Sequence, residues 1–393
     1  MDKETHNRRG SPCITVHISG AGPAGIAAAL TIQRAGGKAI VHELKADVGG
    51  RFHGDFQGLE NWTTAGDVLE ELAAFGIAAS FEHTPFRELV AFDPEGRESV
   101  YRSPDPVFYL VRRGPNPGTL DVSLRDQALA SGAEIRFEDP QRHLPEGGIV
   151  ADGPRGSDAI AVGYVFDTDL ADGAFAAVSD RLAPKGYSYF LVHKGRGTVA
   201  SCFFEDYHKE KIYLERTVAL FQEKAGLRMR NERKFGGTGN FLVPRTIQKG
   251  DILFAGEAAG FQDALWGFGM RYAMLSGHLA ARTLMEGKPE NYDRLWKRRL
   301  GGPMRTSIVN RYLFEKLGDE GYKRFLRNAY RKPDVRAWLR SFYAVSWWKS
   351  LLFPIAERAV RSSRKEAACT MESCDCTWCR CQHEAKSAIH AAA

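Results

Sequence analysis

A chain of 393 residues that is 44% hydrophobic can bury a large core and divide into two or three domains. Its net charge of +6 is too small, and too little interleaved with aromatics, for nucleic acid to be a partner. Residues 1–11 are polar with no apolar signal core, and no run of about 18 uncharged apolar residues is present, so a cytoplasmic protein without a spanning helix is expected.

Residues 14–19 alternate as a strand does and run straight into Gly20-Ala21-Gly22-Pro23-Ala24-Gly25. A small-residue helix follows to Arg34, Gly36-Gly37 stops it, and a second strand over 38–42 ends on Glu43. This is a complete βαβ dinucleotide fingerprint. Gly20 permits the tight turn, Gly22 lets the backbone approach a pyrophosphate, and Gly25 lets helix and strand pack closely. Pro23 suits the first helical turn, where its missing N–H is not needed. The free amides of the helix start, including that of Ala24, face the phosphates. Glu43 suits a ribose diol and repels a 2′-phosphate, which points to FAD or NAD rather than NADP.

Gly49-Gly50-Arg51 follows the second strand, and Arg51 suits a loop curling back over the cofactor's diphosphate or ribose. Residues 67–75 read as a short helix and 81–101 as strands with a turn at 93–96. Residues 108–113 read as a strand ending in Arg112 and Arg113, and Thr119 caps a helix over 120–131. Strands follow at 134–137 and 148–151; these three strands are expected to rejoin the first sheet. Residues 160–250 carry alternating aromatic runs, with a hairpin turn at 194–197 and a helix over 214–225. A buried strand over 251–255 then opens into Gly256-Glu257-Ala258-Ala259-Gly260, a loop over 261–269 and a helix over 270–285. The remainder is helical and basic as far as Arg364. No second glycine fingerprint with its own strand and helix appears, so a separate nicotinamide domain is not expected.

Together, Gly20 to Gly25 and Gly256-Glu-Ala-Ala-Gly-Phe-Gln-Asp-Ala-Leu-Trp-Gly-Phe-Gly-Met-Arg-Tyr-Ala-Met-Leu-Ser-Gly277 resemble the FAD-dependent geranylgeranyl reductase family, within the hydroxylase-like flavoproteins. The resemblance covers roughly residues 12 to 290. It implies that Gly256 and Glu257 lie near the flavin ribityl chain and that Gly267, Phe268, Gly269 and Met270 lie beside the isoalloxazine. It places Asp152-Gly153 at a turn the wider group shares, and Arg112 or Arg113 where that group carries a flavin-contacting arginine. Tyr187-Ser-Tyr189-Phe-Leu-Val192 resembles the family's aromatic substrate-cavity pattern, which makes Tyr187 and Tyr189 candidate catalytic and wall residues. Three positions depart from the family: Glu257 stands for aspartate, Ala264 for proline, and Tyr189 with Leu191-Val192 for tryptophan and a Phe-Pro pair.

Trp338, Phe342, Val345, Trp348, Leu352 and Ile355 share one helical face, expected to end at Pro354. Arg340, Lys349, Arg358 and Arg361 lie around it, a pattern that suits peripheral contact with a membrane interface. Near the end, Cys369, Cys374, Cys376, Cys379 and Cys381, with His383, form a thiol cluster that suits zinc or an iron–sulfur cluster.

The fold expected is α/β: a Rossmann-like FAD-binding domain in three parts (12–60, 106–160, 249–290), an inserted substrate domain (61–105 and the antiparallel sheet of 161–248), a C-terminal helical region (291–366) and a Cys-rich tail (367–393). The function expected is reduction of carbon–carbon double bonds in an isoprenoid or other lipid by hydride from reduced FAD. Electrons would come from a nicotinamide cofactor or a ferredoxin-like protein. The same residues also suit a flavin monooxygenase, or a flavoprotein acting as an electron-transfer partner.

Overall fold

The computed structural model describes residues 14–64, 66–141, 144–154, 156–241, 243–244, 247–366 and 374–381. Strand Thr15–Ser19 runs parallel to Lys38–His42, and the helix Pro23–Arg34 links them. Six strands make this sheet, in the order Gln248–Lys249, Ile252–Phe254, Gly148–Val150, Thr15–Ser19, Lys38–His42 and Glu134–Arg136. Every neighbour pairs in parallel except Gln248–Lys249 at the edge. Parallel strands are covered on both faces, which is why Ala39-Ile40-Val41 and Ile149-Val150 are continuous buried runs.

The helices Pro23–Arg34 and Met270–Met285 touch at backbone distance. A Cβ on Gly277 would stand 2.0 Å from the Ala24 carbonyl oxygen, and one on Gly256 would stand 2.8 Å from the Ala24 methyl. The small residues of the two glycine motifs therefore serve each other.

Seven strands form a second sheet, in the order Arg230–Gly239, Ala159–Asp167, Arg196–Phe203, Tyr187–His193, Gly173–Ala177, Glu88–Phe92 and Glu98–Arg102. Its alternation sorts the aromatics. Phe190 and Val192 turn toward Phe221 of the helix Glu210–Ala225. Tyr187, Tyr189 and Leu191 turn the other way, toward Trp266, Phe268, Phe314 and Tyr322.

The strand Phe108–Arg112 departs from expectation. It pairs antiparallel with Phe56–Glu60 and His83–Phe86 in a separate three-stranded sheet, not with the parallel sheet. All of its residues are buried, so the run reads as an inner strand, but burial on two faces does not name the neighbour.

The C-terminal region is helical, through Asn291–Trp296, Gly302–Glu315, Gly318–Tyr330, Val335–Phe342 and Trp347–Glu366. The single stripe expected over 335–356 is broken at 343–346, and Pro354 lies inside the last helix rather than ending it. Pro354 and Ser350, whose carbonyl it deprives of a partner, both face solvent. Beyond them Ala356 and Val360 are fully buried and anchor the helix, so the proline is tolerated. Trp338 and Phe342 stack on each other and pack on Phe325. Val345, Trp347, Trp348, Leu351 and Ile355 stay exposed. No helix among the described residues is long and apolar enough to cross a membrane.

Candidate cofactor and substrate site

The first glycine loop is shaped from within. Gly20, at φ +95°, leaves no room for a Cβ, which would meet the Ala151 carbonyl at 2.4 Å; on Gly25 a Cβ would meet the Gly20 carbonyl at 1.9 Å. Gly22 is different: a Cβ there would meet nothing within 4 Å, so no part of the protein requires the glycine. The open space lies at the start of the helix that begins with Pro23 and Ala24, where free amides and the positive dipole end favour an anion. The Glu43 carboxylate is held at this loop by the Ala21 N–H (2.8 Å) and the Lys45 N–H (2.9 Å).

Arg51 ties three distant segments together. Its guanidinium pairs with Glu257 of the second motif and donates to the Thr238 carbonyl on the edge strand of the large sheet. Gly256, at φ +60°, seats that motif, and its N–H donates to Ser276 Oγ. The two strand-end arginines are engaged elsewhere. Arg112 donates to Glu82 (3.2 Å) and the Pro117 carbonyl (2.6 Å). Arg113 makes a buried two-pronged pair with Asp121 and lies over the Phe52 ring at 3.9 Å.

The loop over 261–269 faces the aromatic side of the large sheet. Gly267 is exposed at φ +76°, and the Tyr187 hydroxyl lies 4.0 Å from where its Cβ would be. The Tyr187 hydroxyl donates to the Trp266 carbonyl, and the two rings meet edge-on at 5.4 Å. Tyr189 lies alongside Tyr187 at 6.2 Å. Burial holds both phenols well above their ordinary range, so both are neutral. Phe268 packs against Gly58, and Gly269 starts the helix whose first residue, Met270, is buried.

Two residues of this site carried no sequence signal. The Trp62 ring meets Phe268 edge-on at 4.8 Å, and its buried indole N–H has no hydrogen-bond partner among the described residues. Asp263 is buried beneath the loop, where it accepts from the Trp266 N–H (2.6 Å) and the Tyr343 hydroxyl (3.0 Å). Burial pushes its carboxyl up to about 6 despite those bonds. The open space at Gly22, the Glu43 carboxylate held at the same loop and the orphaned Trp62 donor beside Phe268 fit a bound dinucleotide such as FAD.

Part of the cysteine cluster is described; Cys369 and His383 lie outside the described residues. The sulfurs of Cys374, Cys376 and Cys379 lie within 4.8 Å of one another. Cys381 is not in that group. It shares a helical turn with Cys379, and side chains two apart on a helix point to different sides. Cys381 instead lies within electrostatic reach of Arg51.

No family model matches the chain. It is 24% identical over 385 residues to a digeranylgeranylglycerophospholipid reductase from Haloferax volcanii, an alignment spanning 81% of this chain and 90% of the relative. A geranylgeranyl bacteriochlorophyll reductase-like protein from Thermoplasma acidophilum superposes with a TM-score of 0.68 at 17% identity, over 89% of this chain and all of that one. The flavin-dependent brominase Bmp2 superposes at 0.60 with 14% identity, over 90% and 99%. The peptidyl tryptophan dihydroxylase QhpG does so at 0.56 with 15% identity, over 82% and 80%. The chain is a distant homologue of digeranylgeranylglycerophospholipid reductase, built on the fold that these flavoprotein structures share.

Proposed function

We propose that the chain is an FAD-dependent oxidoreductase that reduces carbon–carbon double bonds of an isoprenoid lipid. The observation that supports this reading is the aromatic wall of Tyr187, Tyr189, Trp266, Phe268 and Trp62 beside the exposed Gly267. A polyprenyl chain is apolar and long, and ring faces also favour the positive charge that grows on an alkene as it is protonated. The name of the Haloferax volcanii relative supplies the substrate class. FAD, when bound, supplies hydride transfer.

The chain's own residues bind, orient and exclude water. Gly20, Gly22, Pro23, Ala24 and Gly25 would hold the diphosphate of FAD, Glu43 its adenosine ribose, and Gly256, Glu257 and Arg51 the part between the diphosphate and the ring. Gly267, Phe268, Gly269 and Met270 would hold its ring. Tyr187 holds the loop through the Trp266 carbonyl, so its proton is committed there. Arg112 is tied to Glu82 and the Pro117 carbonyl, away from the second glycine motif, whereas Arg51 is paired with Glu257 of that motif.

Substrate delivery is assigned to the exposed face of the last helix. Trp347, Leu351 and Ile355, spaced four apart, are 77%, 71% and 59% exposed. Arg340 and Arg358 are exposed near it, whereas Lys349 is buried against the Phe342 carbonyl and Arg361 pairs with Glu357. This face suits the interfacial zone of a bilayer holding the lipid substrate.

The test is anaerobic. FAD-loaded protein reduced with dithionite is mixed with a polyunsaturated polyprenyl glycerophospholipid, and the product is weighed by mass spectrometry. A gain of two hydrogens per double bond is expected. An unchanged lipid, together with oxygen insertion when air is admitted, would assign the protein to the monooxygenases instead.

A further inference from the structure

Cys374, Cys376 and Cys379 lie against the large sheet, far along the chain from the glycine motifs. Residues 374–381 dock on the edge strand Arg230–Gly239. The Thr377 N–H donates to the buried Glu210 carboxylate at 2.7 Å. The Trp378 ring stacks on Tyr207, and its indole N–H donates to the Ser157 carbonyl at 3.2 Å. Gly236 makes room for Thr377: a Cβ there would stand 2.7 Å from the threonine hydroxyl. Cys376 and Cys379 are buried among Ile160, Val162, Phe203 and Leu214.

We infer that Cys374, Cys376 and Cys379 bind a single thiophilic metal ion of the zinc class, which fastens the tail to this sheet. Three observations carry the assignment. Cys376 and Cys379 have the Cys-x2-Cys spacing that lets two thiolates share one ion. Cys374 brings a third sulfur to the same point, all three within 4.8 Å of one another. Metal–sulfur bonds of about 2.3 Å in a tetrahedron set the sulfurs about 3.8 Å apart, so a small inward movement completes the site.

The same distances argue against a cluster. An iron–sulfur cluster spreads its cysteines across more than one iron, and three sulfurs converging on one point do not span it. Burial also matters. Thiolates packed this closely repel one another unless a cation takes up their charge, and an apolar surround sharpens that need. Loading releases the three thiol protons to solvent and forms three metal–sulfur bonds, with no change of oxidation state; a water or another side chain takes the fourth position.

The fastening reaches toward the cofactor region. The strand that receives the tail also offers the Thr238 carbonyl to Arg51, and Cys381 lies within electrostatic reach of the same arginine.

Elemental analysis of the full-length, FAD-loaded chain tests the assignment, with zinc as the added probe. About one zinc per chain is expected, falling at least about tenfold in the double variant Cys376→Ser/Cys379→Ser. Cobalt(II) in place of zinc should give a thiolate-to-metal band in the near ultraviolet and tetrahedral bands in the visible. Equal zinc in wild type and variant, a disulfide among the three thiols, or acid-labile sulfide in step with iron would each overturn the site. Because the variant can fail to fold, the fastening is read on wild type. Trypsin cleavage after Arg380 should quicken about tenfold when a chelator strips the zinc. Unchanged cleavage would overturn the fastening.

Discussion

Gly22 and Gly25 belong to the same motif, yet the structure assigns them opposite dependences. Gly22 has φ −74° and ψ 178°, which alanine adopts freely, and its Cβ would meet no protein atom within 4 Å. Gly22→Ala should therefore leave the stability of the FAD-stripped protein within about 1 kcal/mol of wild type, a small helix-cap cost being offset by a less flexible unfolded chain. The methyl group would stand where the proposed diphosphate approaches. Losing one charged backbone hydrogen bond costs about 1.5–3 kcal/mol, so FAD should bind about 10- to 100-fold more weakly. Gly25→Ala places its methyl 1.9 Å from the Gly20 carbonyl oxygen. Helix and strand must separate, and the FAD-stripped protein should lose about 3 kcal/mol. Urea unfolding of the stripped proteins and fluorescence titration with FAD measure both quantities. Equal stability losses in the two variants, or wild-type affinity in Gly22→Ala, would show that the gap at Gly22 is not a phosphate site.

Arg271 is buried with Glu60 and Glu71, so Arg271→Ala takes the ion-pair partner from Glu60, which keeps only its bonds from Trp62 and Thr63, and leaves Glu71 with Arg299 alone; it should cost about 3–5 kcal/mol in urea unfolding, and a loss under about 1 kcal/mol would contradict the burial argument. Asp263 titrates near 6 when folded against 3.8 as its ordinary value, so between those pH values the folded chain holds a proton that the unfolded chain has lost. Its contribution to stability therefore falls by about 2–2.5 kcal/mol as pH rises from 4 to 7. The stability of wild type relative to Asp263→Asn should fall by that amount over the same range, and a constant difference would refute the shift. Tyr187→Phe leaves the Trp266 carbonyl without its hydroxyl donor and should cost about 1–3 kcal/mol in thermal unfolding, with no loss expected if the bond is absent in solution. For the exposed face of the last helix, Leu351→Glu should abolish co-sedimentation with anionic phosphatidylglycerol vesicles; unchanged sedimentation would remove the membrane contact.

The local elements were readable from the chain because they answer to local physics. The βαβ unit, the capped helix after Thr119 and the helix Met270–Met285 depend on glycine conformations, caps and apolar spacing within a few residues. The aromatic alternation around Tyr187 was equally visible, since a strand places every second residue on one face. The same local reading misjudged the strand Phe108–Arg112 and the helix around Pro354. In both cases a neighbour far along the chain decided the outcome.

The candidate site divides in the same way. Sequence by itself determined the first glycine loop, the acid beside it and the glycine-rich second motif, because close backbone approach admits so few residue types. Tertiary structure alone decided that Gly277 and Gly256 make room for Ala24, that Arg51 reaches Glu257 and Thr238, and that Trp62 and Asp263 stand at the loop over 261–269. It alone brought Cys376 and Cys379 against Ile160, Val162 and Leu214. Each of these contacts joins residues separated by tens to hundreds of positions, and a single sequence records the side chain at each end but not the packing that brings the ends together.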